Sequence, residues 1–264
     1  MSGGHGPAGR PGGVDALHVP GASPLHRARP EVKIAAALLA LAAVVATPGR
    51  AVWAFGLHAA VLGAVVAVAG LPPALVARRL RIELPFLAFA VFLPVVGGDP
   101  RVAVLGVSLS EPGLWAAWTI AAKGTLGVAT SVVLAATTTV PDLLRGLERL
   151  RVPRVVTAIA GFMVRYLAIT LDEAARMHVA RQSRGYDPRW LGQARGVAAS
   201  AGTLFVRAFE RGERVHLAMV SRGYTGTMPH LDGPASAPGP AGWAAAALVP
   251  AAAWAVAAAA WVAA

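Results

Sequence analysis

No cysteine occurs among the 264 residues of the chain. Disulfides, thiolate metal sites and thiol nucleophiles are therefore excluded. Charge is scarce as well, at 14% of residues, and acids are the scarcer sign, with 13 against 24 lysines and arginines. Lysine stands only at Lys33 and Lys123, so nearly all the positive charge is arginine. There is no Walker-type phosphate loop; the Gly–Lys neighbours Lys123-Gly124 are in the reverse order and the wrong setting. ATP hydrolysis is thus not expected of this chain. His5, His18, His26, His58, His178, His216 and His230 are scattered, with no HExxH or His-rich tract. They are expected at the surface or at interfaces, and no metal site is expected. GxSxG, paired-carboxylate and Ser/His/Asp arrangements find no support, so the chain is not expected to be an enzyme.

What the sequence has in abundance is apolar residues, 56% of the total, gathered in long Ala/Val/Leu runs. Such runs point to membrane spans and a lipid bilayer as the surroundings. A net charge of +11 invites a nucleic-acid reading. The arginines, however, sit between or beside apolar runs, and membrane proteins keep Lys and Arg on the cytoplasmic side. No nucleic-acid partner is expected.

Five spans are expected: Ile34–Thr47, Ala51–Gly70, Leu84–Gly98, Leu114–Val140 and Gly242–Ala264. The Gly- and Pro-rich residues 1–32 form a cytoplasmic lead-in, too long and broken for the start of a cleaved signal peptide. Residues 33–140 make a four-span membrane domain, with Asp99–Gly113 an external loop. Residues 141–226 form a cytoplasmic domain of long amphipathic helices, and residues 227–241 a loop before the last span, 242–264. Orientation rests on two basic clusters, His26, Arg27, Arg29 and Lys33 before the first run, and Arg78, Arg79 and Arg81 after the second. The first and third runs are short for a full span. The expected fold is an all-α integral membrane bundle of about five spans in the cell membrane, with the N-terminus and the basic domain cytoplasmic.

Two segments carry alternatives. Val155–Leu171 is apolar enough to cross, but a single crossing would put the densest arginine field outside. It is expected in or under the cytoplasmic interface, the alternative being a second crossing paired with Val197–Val206. Lys123 lies inside the fourth run, where an ionisable residue is a functional candidate. It could equally face a protein contact or cap a carbonyl, since Gly124 and Gly127 suggest close helix packing.

Residues 141–224 hold 14 of the 24 basic residues, among them Arg184 and Arg222 in two copies of Ser-Arg-Gly-Tyr. In the second copy Phe205, Phe209, Gly212, Val215 and Met219 mark one face of a helix, and Arg207, Arg211 and Arg214 the opposite face. Glu210 and Arg214 are spaced to pair. Gly223 then stops the helix by taking a left-handed conformation, leaving Arg222 at its tip. The first copy, Ser183-Arg184-Gly185-Tyr186, follows the same logic, with Asp187-Pro188 preventing resumption. A guanidinium is a rigid donor fork suited to a carboxylate on another protein, and two matching tips suit a partner with two matching sockets, most often a dimer. The alternative is a pair of ordinary helix caps with solvated charges.

These stretches resemble a known family, the transmembrane T component of energy-coupling-factor (ECF) transporters, in its cobalt or nickel uptake branch. The resemblance rests on SPLHRARPEVKI (Ser23–Ile34), with its Pro-x-x-Lys spacing, on GLERLRVPR (Gly146–Arg154), and on TLFVRAFERGERVHLAMVSRGY (Thr203–Tyr224). The two arginine–glycine tips are its most specific mark. The family pattern has Ala before each Arg, where this sequence has Ser183 and Ser221. The resemblance implies a membrane scaffold that couples two cytoplasmic ATPase subunits to a separate substrate-binding membrane subunit, the S component. Residues 141–226 would be its coupling domain, with Ser183, Arg184, Gly185, Ser221, Arg222 and Gly223 docking on the ATPases. It further implies no cofactor on this chain, ATP on the partner subunits, and cobalt, related to cobalamin, as the transported ion. A nickel or vitamin transporter, or a membrane anchor with no transport role, are the alternatives.

Overall fold

The computed structural model describes residues 17–104, 107–186, 194–226 and 240–263. The chain divides into two compact units, one of Leu17–Leu150 with Ser236–Ala264, the other of Met1–Ala16 with Arg151–Ala235. The first contains α1 (Pro24–Arg27), α2 (Pro30–Ala46), α3 (Val52–Ala69), α4 (Pro73–Arg79), a 3₁₀ turn at Leu80–Glu83, α5 (Leu84–Ala90), α6 (Leu93–Val96), the strands β1 (Arg101–Val104) and β2 (Val107–Ser110), α7 (Glu111–Thr137) and α8 (Val140–Arg149). The second contains α9 (Arg154–Gln182) and α10 (Ala194–Val220), after which α11 (Pro240–Val262) returns to the first.

Among the described residues, four helices are long and apolar enough to cross a bilayer: α3, α7, α9 and residues Gly242–Val262 of α11. The first expected span is α2, at 17 residues. At 1.5 Å per residue it reaches roughly 26 Å, a little less than a hydrocarbon core of about 30 Å. The third expected span, Leu84–Gly98, is divided between α5 and α6, each opened by a proline in its first turn (Pro85 and Pro94). Proline lacks an amide hydrogen and is accepted where no partner is needed, so it suits the start of these helices. The expected loop Asp99–Gly113 contains the antiparallel pair β1–β2, with Arg101 opposite Ser110, and the first turn of α7. Val155–Leu171, expected at the interface, forms most of the first two-thirds of the 29-residue helix α9, which meets the length and apolarity of a span.

A short helix ending in hydrocarbon leaves carbonyls with no water to meet them. At the end of α2 they are all taken. The Thr47 hydroxyl and amide donate to Ala43 O, and the amide also to Val44 O. Lys123 Nζ donates to Val45 O at 2.6 Å, and Trp261 Nε1 to Ala46 O at 2.8 Å. The reciprocal bond lies at the other end of the pair, where Lys33 Nζ of α2 donates to Thr137 O, the last carbonyl of α7, at 2.8 Å. The chain's two lysines therefore tie α2 and α7 antiparallel, each capping the other's C-terminus, where a cation also meets the negative end of the helix dipole. Lys123 thus occupies the carbonyl-capping role.

α11 packs on α2 through Ala43, Ala253 and Ala257, and on α3 through Ala51, Ala54 and Ala260. Alanine lets helix backbones approach closely, which is how helices associate where apolar burial gives no advantage over lipid. α8 belongs to this unit too. Its Arg149 reaches Glu31 of α2 at 3.0 Å, and Gly146 meets the same turn, with no room for a Cβ beside Ile34 Cδ1 at 2.8 Å and Glu31 N at 2.9 Å. The Pro-x-x-Lys stretch and the GLERLR stretch, 115 residues apart in sequence (31 to 146), are thus one packed corner.

Candidate functional site

Both Ser-Arg-Gly-Tyr copies end a long helix in the same way. In the first, the Tyr186 amide donates to Arg181 O at 3.1 Å and the Gly185 amide to Gln182 O at 2.9 Å. In the second, Tyr224 donates to Met219 O and Gly223 to Val220 O, both at 3.0 Å. This paired closure is the Schellman motif, and it requires a left-handed residue after the cap. Gly185 and Gly223 supply it, with φ of 75° and 86°. Any residue with a Cβ would be strained there. The helix end therefore fixes Arg184 and Arg222 as the last residues before the turn.

The serines are absorbed locally. Ser183 Oγ donates to Ala180 O and Ser221 Oγ to Ala218 O, each at 3.0 Å. A serine whose hydroxyl is turned back onto its own helix presents outward little more than an alanine does, which accounts for Ser standing where the resembled pattern has Ala. Arg184 and Arg222 are exposed. Among the described residues neither guanidinium has a hydrogen-bond or ion-pair partner. Nearby arginines are used differently. Arg207 and Arg211 of α10 grip the two oxygens of Glu173 on α9, each at 2.9 Å, and Glu173 is buried at 8% exposure. The expected Glu210–Arg214 pair is present at 3.9 Å on an open surface, where such a pair adds little.

The expectation for α10 had an apolar face turned one way and an arginine face the other. In the structure it is the arginine side that holds α9, while Phe205 and Phe209 stand 71% and 59% exposed. Glu173 was not singled out from sequence, because its partners are 34 and 38 residues away. A second link, likewise not anticipated, is the Gly196 amide donating to the Tyr186 hydroxyl at 3.1 Å. A Cβ at position 196 would stand 2.6 Å from Tyr186 Cζ, so glycine is needed for this approach.

These links settle how the two tips are spaced. Tyr186 holds the first tip at the start of α10, and Arg222 follows the end of α10. The 27 residues of α10 rise about 40 Å, so the tips are presented far apart and not as one site. Among the described residues no three His, Cys, Asp or Glu side chains are placed to hold a metal ion.

A helical protein with several membrane-length apolar helices, and with a pair of arginine-ended helices in a separate compact unit, is the class these observations define. The chain belongs to the family described as cobalt transport protein CbiQ, which it matches over residues 21–231, and is accordingly a multi-pass membrane protein. It is 32% identical over 169 residues to the cobalt transport protein CbiQ of Rhodobacter capsulatus, covering 60% of this chain and 68% of that protein. It is 27% identical over 227 residues to the energy-coupling factor transporter transmembrane protein EcfT of Brevibacillus brevis, covering 79% and 83%. It is 26% identical over 215 residues to a protein of Methanocorpusculum labreanum named as a fused cobalt transport protein, CbiMQ, covering 78% of this chain and only 36% of that longer one.

Proposed function

We propose that this chain is the scaffold subunit of an ECF-type importer, which couples ATP hydrolysis by two cytoplasmic ATPase subunits to a substrate-binding membrane subunit. Arg184 and Arg222 dock one into each ATPase, and ATP-driven closing of the pair moves α9 and α10. That motion is passed to the substrate-binding subunit, which releases its ion inward. Cobalt is the transported ion in this reading, in keeping with the family description and the names of the relatives.

The observation that carries the proposal is the duplicated helix end: the same cap geometry twice, each with an exposed guanidinium that has no partner among the described residues, set about 40 Å apart along one helix. A single solvated cap would not account for both the repetition and the wide spacing. Two separate sockets on a dimeric motor do. Co-purification with the ATPases and cobalt uptake by cells test it. Arg184→Ala and Arg222→Ala singly are expected to weaken ATPase retention and reduce uptake at least tenfold. The double variant is expected to lose both while the protein stays in the membrane. Unchanged uptake by the double variant would reject the proposal.

A further inference from the structure

The first compact unit contains a wedge that no part of the coupling mechanism uses. α3 and α11 touch at Ala51, Ala54 and Ala260 and separate toward the opposite end, leaving a cavity of about 730 Å³ backed by α2 and α7. Its walls are mostly apolar, with His58, Thr130 and Thr137 among them. α3 contributes Val61, Val65 and Val68, and α11 the small side chains of Ala245 and Ala252, which leave the space unfilled. Along α2 the lining runs from Arg29 to Val44, roughly 22 Å at 1.5 Å per residue. The wedge is thus long, mostly apolar and aligned with the helices.

One end of it is charged. Arg27 and Arg29 line the mouth. Arg27 is exposed and, among the described residues, has no acidic partner. Arg29 lies 3.9 Å from Glu31, and its Nη1 is buried without a hydrogen-bond partner. Glu31 is itself held by Arg149 at 3.0 Å, so the mouth keeps a net positive charge. Lys33 also lines the cavity, its ammonium donating to Thr137 O.

We infer that the wedge is a binding site for one anionic glycerophospholipid, its acyl chain lying between α3 and α11 and its phosphate between Arg27 and Arg29. An apolar slot in a membrane protein fits any chain. The charge at its mouth selects the occupant, because two guanidiniums favour a phosphate with net negative charge over a zwitterion. Basic residues at the membrane surface attract anionic lipid in general; the wedge adds a fixed position for the chain. The inference rests on the chain being a membrane protein and is independent of the ATPase coupling proposed above.

The test uses the full-length chain reconstituted in vesicles of equal phosphatidylglycerol and phosphatidylcholine, extracted into mild detergent and weighed intact by native mass spectrometry. One phosphatidylglycerol is expected to stay bound, with at least a tenfold preference over phosphatidylcholine. Arg27→Gln with Arg29→Gln is expected to abolish the preference. Ala252→Phe, which fills the slot, is expected to remove bound lipid of either kind; its thermal melt reports whether it folds, and the Arg27→Gln, Arg29→Gln variant decides the matter if it does not. Wild-type protein that holds no lipid, or holds both lipids equally, overturns the inference. So does an Ala252→Phe variant that keeps its lipid but loses a co-purifying membrane subunit, which would make the wedge a protein interface.

Discussion

Gly146 and Gly56 are both helical glycines, and they should respond oppositely to alanine. At Gly146 an added methyl meets Ile34 Cδ1, Glu31 N and the Pro30 carbonyl carbon within 2.9 Å, and two of those atoms are backbone that cannot rotate away. At Gly56 nothing lies within 4 Å. Gly146→Ala is expected to destabilise by about 1–3 kcal/mol through overpacking. Gly56→Ala is expected to be neutral or stabilising by up to about 1 kcal/mol, since alanine restricts the unfolded chain and suits a helix. Thermal unfolding of both in one detergent checks the pair, and equal melting temperatures would contradict the packed corner. At this scale the sequence was informative where the physics is local. Gly185 and Gly223 were legible as helix stops because a left-handed cap involves only five or six neighbouring residues. The role of Lys123 stayed open between two readings. Its acceptor is Val45 O, 78 positions away, and no pattern around Lys123 shows that α2 ends beside it.

α9 and α10 are held by few links, and Glu173 is the central one. Both carboxylate oxygens are taken by guanidiniums of α10, and removing the acid would leave Arg207 and Arg211 facing each other without a counter-charge. Glu173→Ala is therefore expected to loosen the angle between the helices and leave the tips themselves intact. Spin labels on cysteines introduced at Ala180 and Ala218 can measure this without background, because the chain has no cysteine of its own. The parent is expected to give one narrow distance of roughly 25–35 Å, as the rise along α10 from the level of Ala180 to Ala218 requires. Glu173→Ala is expected to give a broad distribution. An unchanged narrow peak would mean that other contacts hold the pair. Elements were legible where an apolar run was long enough to span, as in α3, α7 and α11. They were harder to read where a run was interrupted. Pro85 and Pro94 divided the third run into α5 and α6, and the four-residue strands β1 and β2 were too short to announce themselves in the loop before α7. α8 lies within the stretch assigned to the cytoplasmic domain, yet it packs on α2, because its Gly146 and Arg149 match the turn around Glu31.

Within the first unit, the basic cluster that precedes α2 gathers with the ends of α3 and α7. The Val19 amide bonds Ala136 O, Leu25 packs on the cluster of Ala69, Leu71, Val133 and Ala136, and Arg149 reaches Glu31. The start of α2, the end of α3, the end of α7 and α8 are therefore together, and Arg78, Arg79 and Arg81 follow shortly after α3. The β1–β2 hairpin leads straight into the start of α7, some 40 Å from that end by the helical rise over its 27 residues. Positive charge collects on the cytoplasmic side of membrane proteins, so the hairpin is expected outside the cell, while the coupling proposal requires the arginine tips inside. Single cysteines at Ala103 in β1 and Ala218 near the second tip test this with a maleimide that cannot cross membranes. Ala103→Cys is expected to label in intact cells, and Ala218→Cys only after lysis. The coupling proposal depends on that difference, because ATPases can bind Arg184 and Arg222 only in the compartment that holds ATP. Labelling of Ala218→Cys in intact cells would place the tips beyond any motor's reach, and the proposal would fail however well the helix ends match.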